Sequence, residues 1–260
     1  MQENKKFWIE QAKRYKNNTN AVNFDYNAEE LELINIKKLL QDNKVICDMG
    51  CGNGKTIFHM LKNGIKSKFY GIDFTREMIE NALRQKDILQ YKDASFYNIS
   101  ATDSSLKDKF DFQFDTVYSK RLLINLKGKD KYKAIKNIHQ ILKDDGTYIM
   151  VENFIEPLDN INSVRKSLDL ERIKVHHFNE YLNKDFLNEI SKYFIIQKKI
   201  DFNSFYYFIS RTFNALLSQT EVPSYDTDIN RLAIEISKKN NFSFKGYSPQ
   251  VIYVLKKRAQ

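Results

Sequence analysis

The stretch VICDMGCGNGKT, residues 45–56, limits the folds open to this chain more than any other segment. A short apolar run reaches Asp48, and the chain then enters a loop with glycine at alternate positions: Gly50, Gly52 and Gly54. Helical spacing follows, so the pattern predicts a strand, a tight loop and a helix. Glycine accepts positive φ angles and has no Cβ atom, so a ligand can lie against the backbone. Because the free N–H groups of the helix point into the same space, the stretch predicts a small-ligand site.

The composition predicts a globular protein. The 260 residues are 42% hydrophobic, which is enough for a sizeable core. The N-terminus is charged and no run of about 18 apolar residues occurs, so we expect a soluble, cytoplasmic protein without membrane insertion. Cys47 and Cys51 are too few for a disulfide framework or a four-ligand zinc site. We therefore expect two reduced thiols beside the loop and no metal.

The net charge of +9 raises the question of a nucleic-acid partner, because a basic surface attracts phosphate. Lysine is interspersed with Glu and Asp and forms no single basic block, which is typical of solvated lysine faces. A small-molecule substrate is therefore favoured, and a nucleic acid stays open as the alternative. The sequence does not predict an oligomeric state.

Strand-like and helix-like segments alternate after the glycine loop. The strand-like segments are KFYGID, ASFYNIS, FDTVYS and TYIMVENF. Alternation with helices of about ten to fifteen residues predicts right-handed crossovers and a parallel sheet. YFIIQKKIDF and SPQVIYVLKK add two strands near the C-terminus. We therefore predict an α/β fold with a seven-stranded, doubly wound, mostly parallel sheet and helices on both faces.

Asp73 ends the second predicted strand, about 20 positions after the glycine loop. An acidic residue there can accept hydrogen bonds from a ribose diol. Ligands of such sheets bind beyond the carboxyl ends of the strands, where segments 98–103 and 119–121 also arrive. This edge is therefore the predicted nucleoside site.

Five motifs in this order resemble the class I S-adenosylmethionine-dependent methyltransferases. They are VICDMGCGNG, GIDFTREMIENAL, FYNISATDSSL, FDTVYSKRLLINL and LKDDGTYIMVE, and they cover roughly residues 44–152. The glycine spacing differs from the GxGxxG of nicotinamide enzymes, in which the third glycine packs a helix next to a pyrophosphate. The resemblance implies S-adenosylmethionine as cofactor, S-adenosylhomocysteine as product, and a last strand that runs antiparallel.

The resemblance also assigns roles at the methionine end of the cofactor. Asp48 would orient the ammonium group, directly or through water. The loop backbone would contact the carboxylate and the ribose, through Gly50, Cys51, Gly52, Asn53 and Gly54. Ser119 would lie under the methionine chain.

At the nucleoside end, the resemblance places the ribose hydroxyls on Asp73. Phe74 and Met78 would flank the adenine, and packing in the core is the alternative for both. The backbone of Ile99, Ser100 and Ala101 would contact the edge of the adenine.

Three features depart from the family pattern. Relatives often place an aspartate on the adenine amino group, where this chain has Ser100 with Asp103 three positions on. After the fourth strand relatives often carry an acidic residue and later a histidine, where this chain has Lys120 and Asn125. A [DN]PP[YF] tetrapeptide is also missing there. We therefore expect neither a general base from this loop nor methylation of an exocyclic base amine or a glutamine amide by that route.

The acceptor chemistry needs further residues. A sulfonium methyl is already activated, so rate comes mainly from holding the nucleophile in line with it, and a base matters only where the acceptor must lose a proton. His176 and His177, in a polar stretch with Tyr181, are the candidates, although a loop histidine can also be incidental. Arg211 lies among aromatic residues and could clamp a carboxylate or phosphate, or else snorkel to the surface.

Three regions follow from these segments. Residues 1–28 would form an N-terminal helix that packs on the core or acts as a lid, with an apolar face of Phe7, Trp8, Ala12 and Tyr15. Residues 29–155 would form the cofactor-binding core. Residues 156–260 would complete the sheet and add a helical cap over the substrate. IEPLDNIN reads as a polar linker before a helix through Val164, Leu168 and Leu170.

The segment RLLINL, a later N-x-Y and an SR helix loosely resemble a bacterial subgroup found with surface-polysaccharide biosynthesis. That resemblance implies a small polar acceptor such as a sugar, a nucleotide-linked precursor or a phosphoramidate-type group of a capsule. Transfer to oxygen is favoured over nitrogen. The alternatives are an RNA methyltransferase and a non-catalytic cofactor-binding homologue.

Overall fold

The structure is a computed structural model that describes residues 2–15, 25–218, 223–239 and 243–259. It contains a seven-stranded sheet. In chain order its strands are β1 Val45–Met49, β2 Lys68–Asp73, β3 Ala94–Asn98, β4 Phe114–Lys120, β5 Leu142–Asn153, β6 Phe194–Ile200 and β7 Gln250–Lys257. Their order in the sheet is β3-β2-β1-β4-β5-β7-β6.

Ten α-helices occur within the described ranges. They are α1 Gln2–Tyr15, α2 Tyr26–Lys37, α3 Lys55–Lys62, α4 Arg76–Leu89, α5 Lys129–Ile141, α6 Ile155–Ser167, α7 Lys184–Ile190, α8 Ser204–Arg211, α9 Phe213–Leu217 and α10 Asp228–Lys238. Short 3-10 turns lie at Leu106–Lys109 and Leu123–Asn125.

The strand directions confirm the predicted fold. β1 to β5 pair in parallel, and β7 is antiparallel to both of its neighbours, β5 and β6. The register sets Asp48 of β1 opposite Gly71 and Tyr118. The carboxyl ends of the parallel strands therefore meet at one edge, which carries the glycine loop and Asp73.

Helices cover both faces of the sheet, which explains why β1 is apolar on both faces apart from Asp48. Ile46 packs in one core cluster with Ile36 of α2, whereas the next residue, Cys47, packs in the other cluster with Ile138 of α5. Cys47 and Cys51 are free, buried cysteines, as predicted. None of the helices in the described ranges is long and apolar enough to cross a bilayer.

The N-terminal helix forms as predicted and packs on α4. Ala12 is buried, and its carbonyl oxygen accepts a hydrogen bond of 3.3 Å from the side-chain amide of Asn81. Phe7 and Trp8 are half-buried on the same helix. The side chain of Tyr15 and the rest of the predicted 1–28 region up to residue 24 lie outside the described residues.

The linker prediction for IEPLDNIN is wrong. These residues open α6, where Pro157 sits in the first turn and therefore costs no helical hydrogen bond. Leu158 and Ile161 are buried at helical spacing. The helix ends at Ser167, so Leu168 and Leu170, which were predicted within it, follow its end.

Candidate active site

The glycine loop adopts the backbone that its sequence predicts. Gly50, Gly52 and Gly54 have φ angles of +81°, +53° and +78°. The N–H groups of Gly50 and Cys51 donate to the carbonyl of Ile72 at 2.7 and 3.0 Å, which ties the loop to β2. A Cβ on Gly54 would approach the Phe96 ring to 2.8 Å, so glycine is needed there for packing as well as for φ.

A cavity of about 270 Å³ opens above this loop at the carboxyl edge of the sheet. Nine of the residues predicted to contact the cofactor line it: Asp48, Gly50, Cys51, Gly52, Asn53, Asp73, Phe74, Met78 and Ala101. The sequence therefore brought most of its candidates to one place, and their roles as cofactor contacts stay predictions.

Four predicted contacts fall outside the lining. Gly54 begins α3 and packs on Phe96, and Ile99 packs against the core cluster around α5. The hydroxyl of Ser100 bonds to that of Thr102 at 2.9 Å. Ser119 has no exposed surface, and its Oγ bonds to the Tyr148 hydroxyl at 2.7 Å.

Asp73 fits a ribose diol. Its Oδ2 accepts from the N–H of Gly52 at 3.0 Å and its Oδ1 from the N–H of Thr75 at 2.8 Å. Burial raises the pKa of this carboxyl, although the two backbone donors oppose the shift. Each carboxylate oxygen has two lone pairs, so each can accept a further hydrogen bond from a hydroxyl in the cavity.

Asp48 lies at the bottom of the same cavity. Burial raises its pKa to about 7, while Lys120 and the hydroxyl of Tyr118, which donates to Oδ2 at 2.9 Å, lower it. An ammonium group placed beside this carboxylate would favour its ionised form. The two acceptor carboxylates, Asp48 before the glycine loop and Asp73 beside it, therefore suit a ligand that carries an ammonium group and ribose hydroxyls.

A buried ion network forms the floor between α2 and the end of β4. Glu32 has no exposed surface; its Oε2 accepts from Arg121 and from Gln250 at 2.7 Å each, and its Oε1 forms an ion pair with Lys120 at 3.0 Å. Burial alone would raise the pKa of Glu32, but Arg121 and Lys120 outweigh burial and hold it below its usual value. Glu29, one turn earlier, pairs with Lys55.

The segment after β4 is held by a buried carboxylate. Glu152 accepts from the backbone N–H groups of Leu122, Leu123 and Ile124 at 2.9, 2.9 and 3.3 Å. Burial raises the pKa of Glu152 to about 7. Arg121, just before these residues, has a φ of +50°, a left-handed angle that is uncommon for a residue with a side chain.

Comparison with known proteins identifies the family to which this chain belongs. Residues 40–194 match the family described as "Methyltransferase domain". The chain belongs to this methyltransferase family. A comparison with curated protein sequences gives no match.

Solved structures share the fold of this methyltransferase. The N-methyltransferase NodS from Bradyrhizobium japonicum WM9, in complex with S-adenosylhomocysteine, is 8% identical with a TM-score of 0.58, and the match covers 97% of this chain and 99% of that one. Geranyl diphosphate C-methyltransferase from Streptomyces coelicolor A3(2) is 13% identical with a TM-score of 0.56, covering 89% and 79%. Magnesium protoporphyrin IX methyltransferase from Synechocystis PCC 6803, with bound S-adenosylhomocysteine, is 12% identical with a TM-score of 0.54, covering 92% and 85%.

The protein is an S-adenosylmethionine-dependent methyltransferase. Bound S-adenosylmethionine supplies an activated methyl group. The residues that would hold the cofactor are the glycine loop, Asp48 and Asp73, with Phe74 and Met78 on the adenine side. Phe74 keeps 37% of its surface exposed at the cavity, whereas Met78 is buried, so Phe74 has the freer ring face.

An aromatic wall lines part of the cavity of the methyltransferase. It consists of Phe7 and Trp8 of α1 together with His176 and Phe178 of the loop between α6 and α7. The Phe7 ring lies 4.7 Å from Phe178 and 6.0 Å from His176, and the last two lie 3.9 Å apart. The first helix therefore contributes side chains to the cavity lining, and its role as a lid stays a prediction.

The four residues predicted to act on the methyl acceptor do not lie together. His176 lines the cavity, and burial, followed by the charge of His177, lowers its pKa. The ring of His177 lies 4.6 Å from His176 and is outside the lining, as is Tyr181. Arg211 is also outside the lining: it donates to Asp25 at 2.7 Å and lies over the rings of Tyr207 and Tyr225.

The sequence reasoning missed the charged floor and part of the wall. Glu29, Lys55 and Phe178 line the cavity and were not candidates, whereas Arg121, which also lines it, belongs to segment 119–121 that was expected at this edge. No local pattern signals this floor, because its ion pairs join residues far apart in the chain. No residue of α8, α9 or α10 in the described ranges lines the cavity, so the predicted C-terminal cap stays a prediction. The described residues hold no cluster that could bind a metal ion.

Proposed function

We propose that this methyltransferase transfers the methyl group to a hydroxyl oxygen of a small polar molecule. The acceptor would lie between the glycine loop and the aromatic wall. The observation that carries the proposal is His176, a histidine with a lowered pKa in a cavity wall otherwise built from aromatic rings and the amides of Asn125 and Asn179.

His176 has the protonation state that such a step needs. Because its pKa lies below the ordinary value of 6.5, the imidazole is neutral at pH 7 and can accept a proton from a hydroxyl. The side-chain amides of Asn125 and Asn179 can hydrogen-bond a polar acceptor, and Phe178 can cover its apolar side. Together these groups would hold the acceptor oxygen near the methyl group and take its proton.

The charge balance of the cavity argues against RNA as the acceptor. Its cations Lys55, Lys120 and Arg121 all have carboxylate partners, Glu29 for the first and Glu32 for the other two. Phosphate binding would have to compete with these ion pairs. If RNA were nevertheless the substrate, its affinity would fall steeply with salt concentration.

A mass-shift screen tests the acceptor class. The protein is incubated with labelled S-adenosylmethionine and with sugars, nucleotide-linked sugars, phosphoramidates, small amines, nucleotides and RNA. The family match and the three structures above name no polysaccharide acceptor, so capsule precursors enter the screen beside the other classes. A methylated hydroxyl compound supports the proposal, and a product methylated only on nitrogen, carbon or RNA overturns it.

His176 has a close neighbour that serves as its control. With the acceptor found in the screen, we expect His176→Gln to lower kcat about 100-fold or more, because general-base catalysis typically contributes about 10²- to 10⁴-fold. His177→Gln, which removes an imidazole outside the cavity lining, should change kcat by less than about threefold. Equal losses in both variants, or no loss in His176→Gln, would contradict a base at position 176. The affinity for S-adenosylhomocysteine reports whether each variant keeps its cofactor site.

A further inference from the structure

A second cavity, of about 520 Å³, lies on the α2 side of the sheet. It is formed by the second half of α2, the end of β6 with the start of α8, the end of α10 and residues 243–245. None of its lining residues lines the methyl-transfer cavity. Its volume falls in the range of about 300–1,000 Å³ that is typical of small-molecule sites.

The charge of this second cavity is one-sided. Among the described residues, its one acidic lining residue is Asp201, against six lysines: Lys38, Lys198, Lys199, Lys238, Lys239 and Lys245. The methyl-transfer cavity, by contrast, is lined by three cations and three carboxylates, apart from His176. Part of the net charge of +9 is therefore concentrated around one concave site.

The single carboxylate, Asp201, already accepts hydrogen bonds from neighbouring groups. Asp201 Oδ1 accepts from the N–H of Ser204 at 3.2 Å, and Oδ2 accepts from the Ser204 hydroxyl at 2.8 Å and from the N–H of Gly246 at 2.6 Å. Asp201 therefore fixes the start of α8 and the turn at Gly246, and its single negative charge leaves the lining with an excess of positive charge.

Three of the lysines are available to a ligand. Lys238 pairs with Glu30 and Glu235 at 2.8 Å each. Lys198, Lys239 and Lys245, by contrast, are exposed and form no ion pair with any residue in the described ranges. Unpaired ammonium groups around a cavity attract an anion with several charges, because each adds to the same local potential.

Aromatic rings lie beside these cations. Phe205 and Phe244 both line the cavity, are partly exposed, and meet edge to face with their ring centroids 5.8 Å apart. Phe202 and Leu31 provide buried apolar surface beneath them. Phe244 also stacks on Tyr247 with ring centroids 4.9 Å apart, so a flat ligand ring would pack along the exposed part of this aromatic cluster while the lysines hold phosphate groups.

We propose that this second cavity binds a nucleoside polyphosphate, with the phosphates on Lys198, Lys239 and Lys245 and the base against Phe205 and Phe244. The site is separate from the methyl-transfer reaction and does not depend on the acceptor proposed above. A small ligand is favoured over an RNA strand because the lysines surround one bounded cavity.

Calorimetry on the full chain tests this site, with S-adenosylhomocysteine at saturation so that the cofactor cavity is filled. The probes are ATP, inorganic tripolyphosphate and adenosine. We expect ATP to bind most tightly, tripolyphosphate more weakly and adenosine not measurably, and we expect the affinity for ATP to fall with salt. The absence of ATP binding, or equal binding of adenosine and ATP, would overturn the proposal.

Two triple variants with the same loss of charge locate the binding. Lys198→Gln/Lys239→Gln/Lys245→Gln should weaken ATP binding about tenfold or more, since three cation contacts to the phosphates are lost. The control Lys92→Gln/Lys107→Gln/Lys136→Gln removes exposed lysines outside both cavities and should change ATP affinity less than about twofold. Equal weakening in both variants would show a general charge effect and overturn the assignment. A single-stranded RNA that binds the cavity lysines more tightly than ATP does would also overturn it.

Discussion

At the scale of single residues, Asp73 has two tasks, because it fixes the loop through the N–H of Gly52 and faces the cavity with its remaining lone pairs. Asp73→Asn keeps the shape of the side chain but replaces one acceptor oxygen by a donor. We expect the affinity for S-adenosylhomocysteine to fall about tenfold or more, the size of one hydrogen bond to a charged group. Isothermal calorimetry measures this change.

Asp87→Asn is the matched control, since Asp87 is exposed on α4 outside both cavities. It should bind S-adenosylhomocysteine like the unaltered protein. Unchanged affinity in Asp73→Asn would remove Asp73 from the cofactor contacts, provided that both variants unfold at the same temperature as the parent.

Asp48 and Asp73 could be located from the sequence because each ends an apolar strand, and strand ends meet at one edge of a parallel sheet. Glu32 could not. Its burial depends on Lys120 and Arg121, which arrive from a strand about 90 residues later, so no local pattern distinguishes it from a solvent-exposed helix residue. For the same reason, the sequence did not predict that the cations of the cavity are paired with carboxylates.

At the scale of elements, the parallel part of the sheet was predictable because its strands are largely apolar and alternate with helices. The first two turns of α6 were missed because polar residues outnumber the apolar ones in IEPLDNIN, although Leu158 and Ile161 recur at helical spacing and are buried. The loop between α6 and α7 shows a second limit of prediction from sequence. His176 and His177 are adjacent in the chain, and only contacts with Phe7 and Phe178 determine which of them faces the cavity.

The contact between α1 and that loop can be tested through Trp8, the only tryptophan of the chain and a cavity-lining residue. Phe7→Ala removes the aromatic contacts to His176 and Phe178. We expect Trp8 emission to become more accessible to acrylamide quenching. We also expect the dissociation constant of S-adenosylhomocysteine to rise about twofold to tenfold, the size of one aromatic pair.

Phe112→Ala provides a control of equal chemistry. Phe112 is partly exposed and contacts Tyr70 and Phe114 on the other side of the sheet, away from both cavities. It should leave Trp8 quenching unchanged. The lid role of α1 is refuted if Phe7→Ala gives the same quenching and the same affinity as Phe112→Ala.

At the scale of the whole molecule, buried ionisable groups connect folding to cofactor binding. Burial raises the pKa of Asp48 and of Glu152 from 3.8 and 4.5 to about 7. Burial lowers the pKa of His59, His139 and His176 below 6.5. The two sets act in opposite directions below about pH 6.5, so the pH dependence of a single protein cannot separate them, whereas a variant that removes one carboxylate can.

The direction in which Asp48 changes the free energy of unfolding with pH follows from the number of protons bound in the folded and unfolded states. Between its ordinary and its raised pKa the folded protein holds a proton that the unfolded chain has lost, so its contribution to the free energy of unfolding falls as pH rises from about 4 to about 7. Asp48→Asn cannot lose this proton, and its Oδ1 can still accept from Tyr118. The difference in unfolding free energy between the variant and the parent should therefore increase in favour of the variant from pH 5 to pH 7.5, by at most about 1.4 kcal/mol per pH unit.

Cofactor binding should show the opposite dependence on pH, with the parent protein favoured as pH rises. An ammonium group beside Asp48 favours the ionised carboxylate, so the affinity of the parent for S-adenosylhomocysteine should rise between pH 6 and pH 8 by up to about tenfold. Asp48→Asn should bind more weakly and with little pH dependence over the same range. Denaturant unfolding and calorimetry at matched pH measure the two effects. Parallel pH curves for parent and variant in both measurements would mean that Asp48 does not titrate near neutral pH and does not meet the ammonium group.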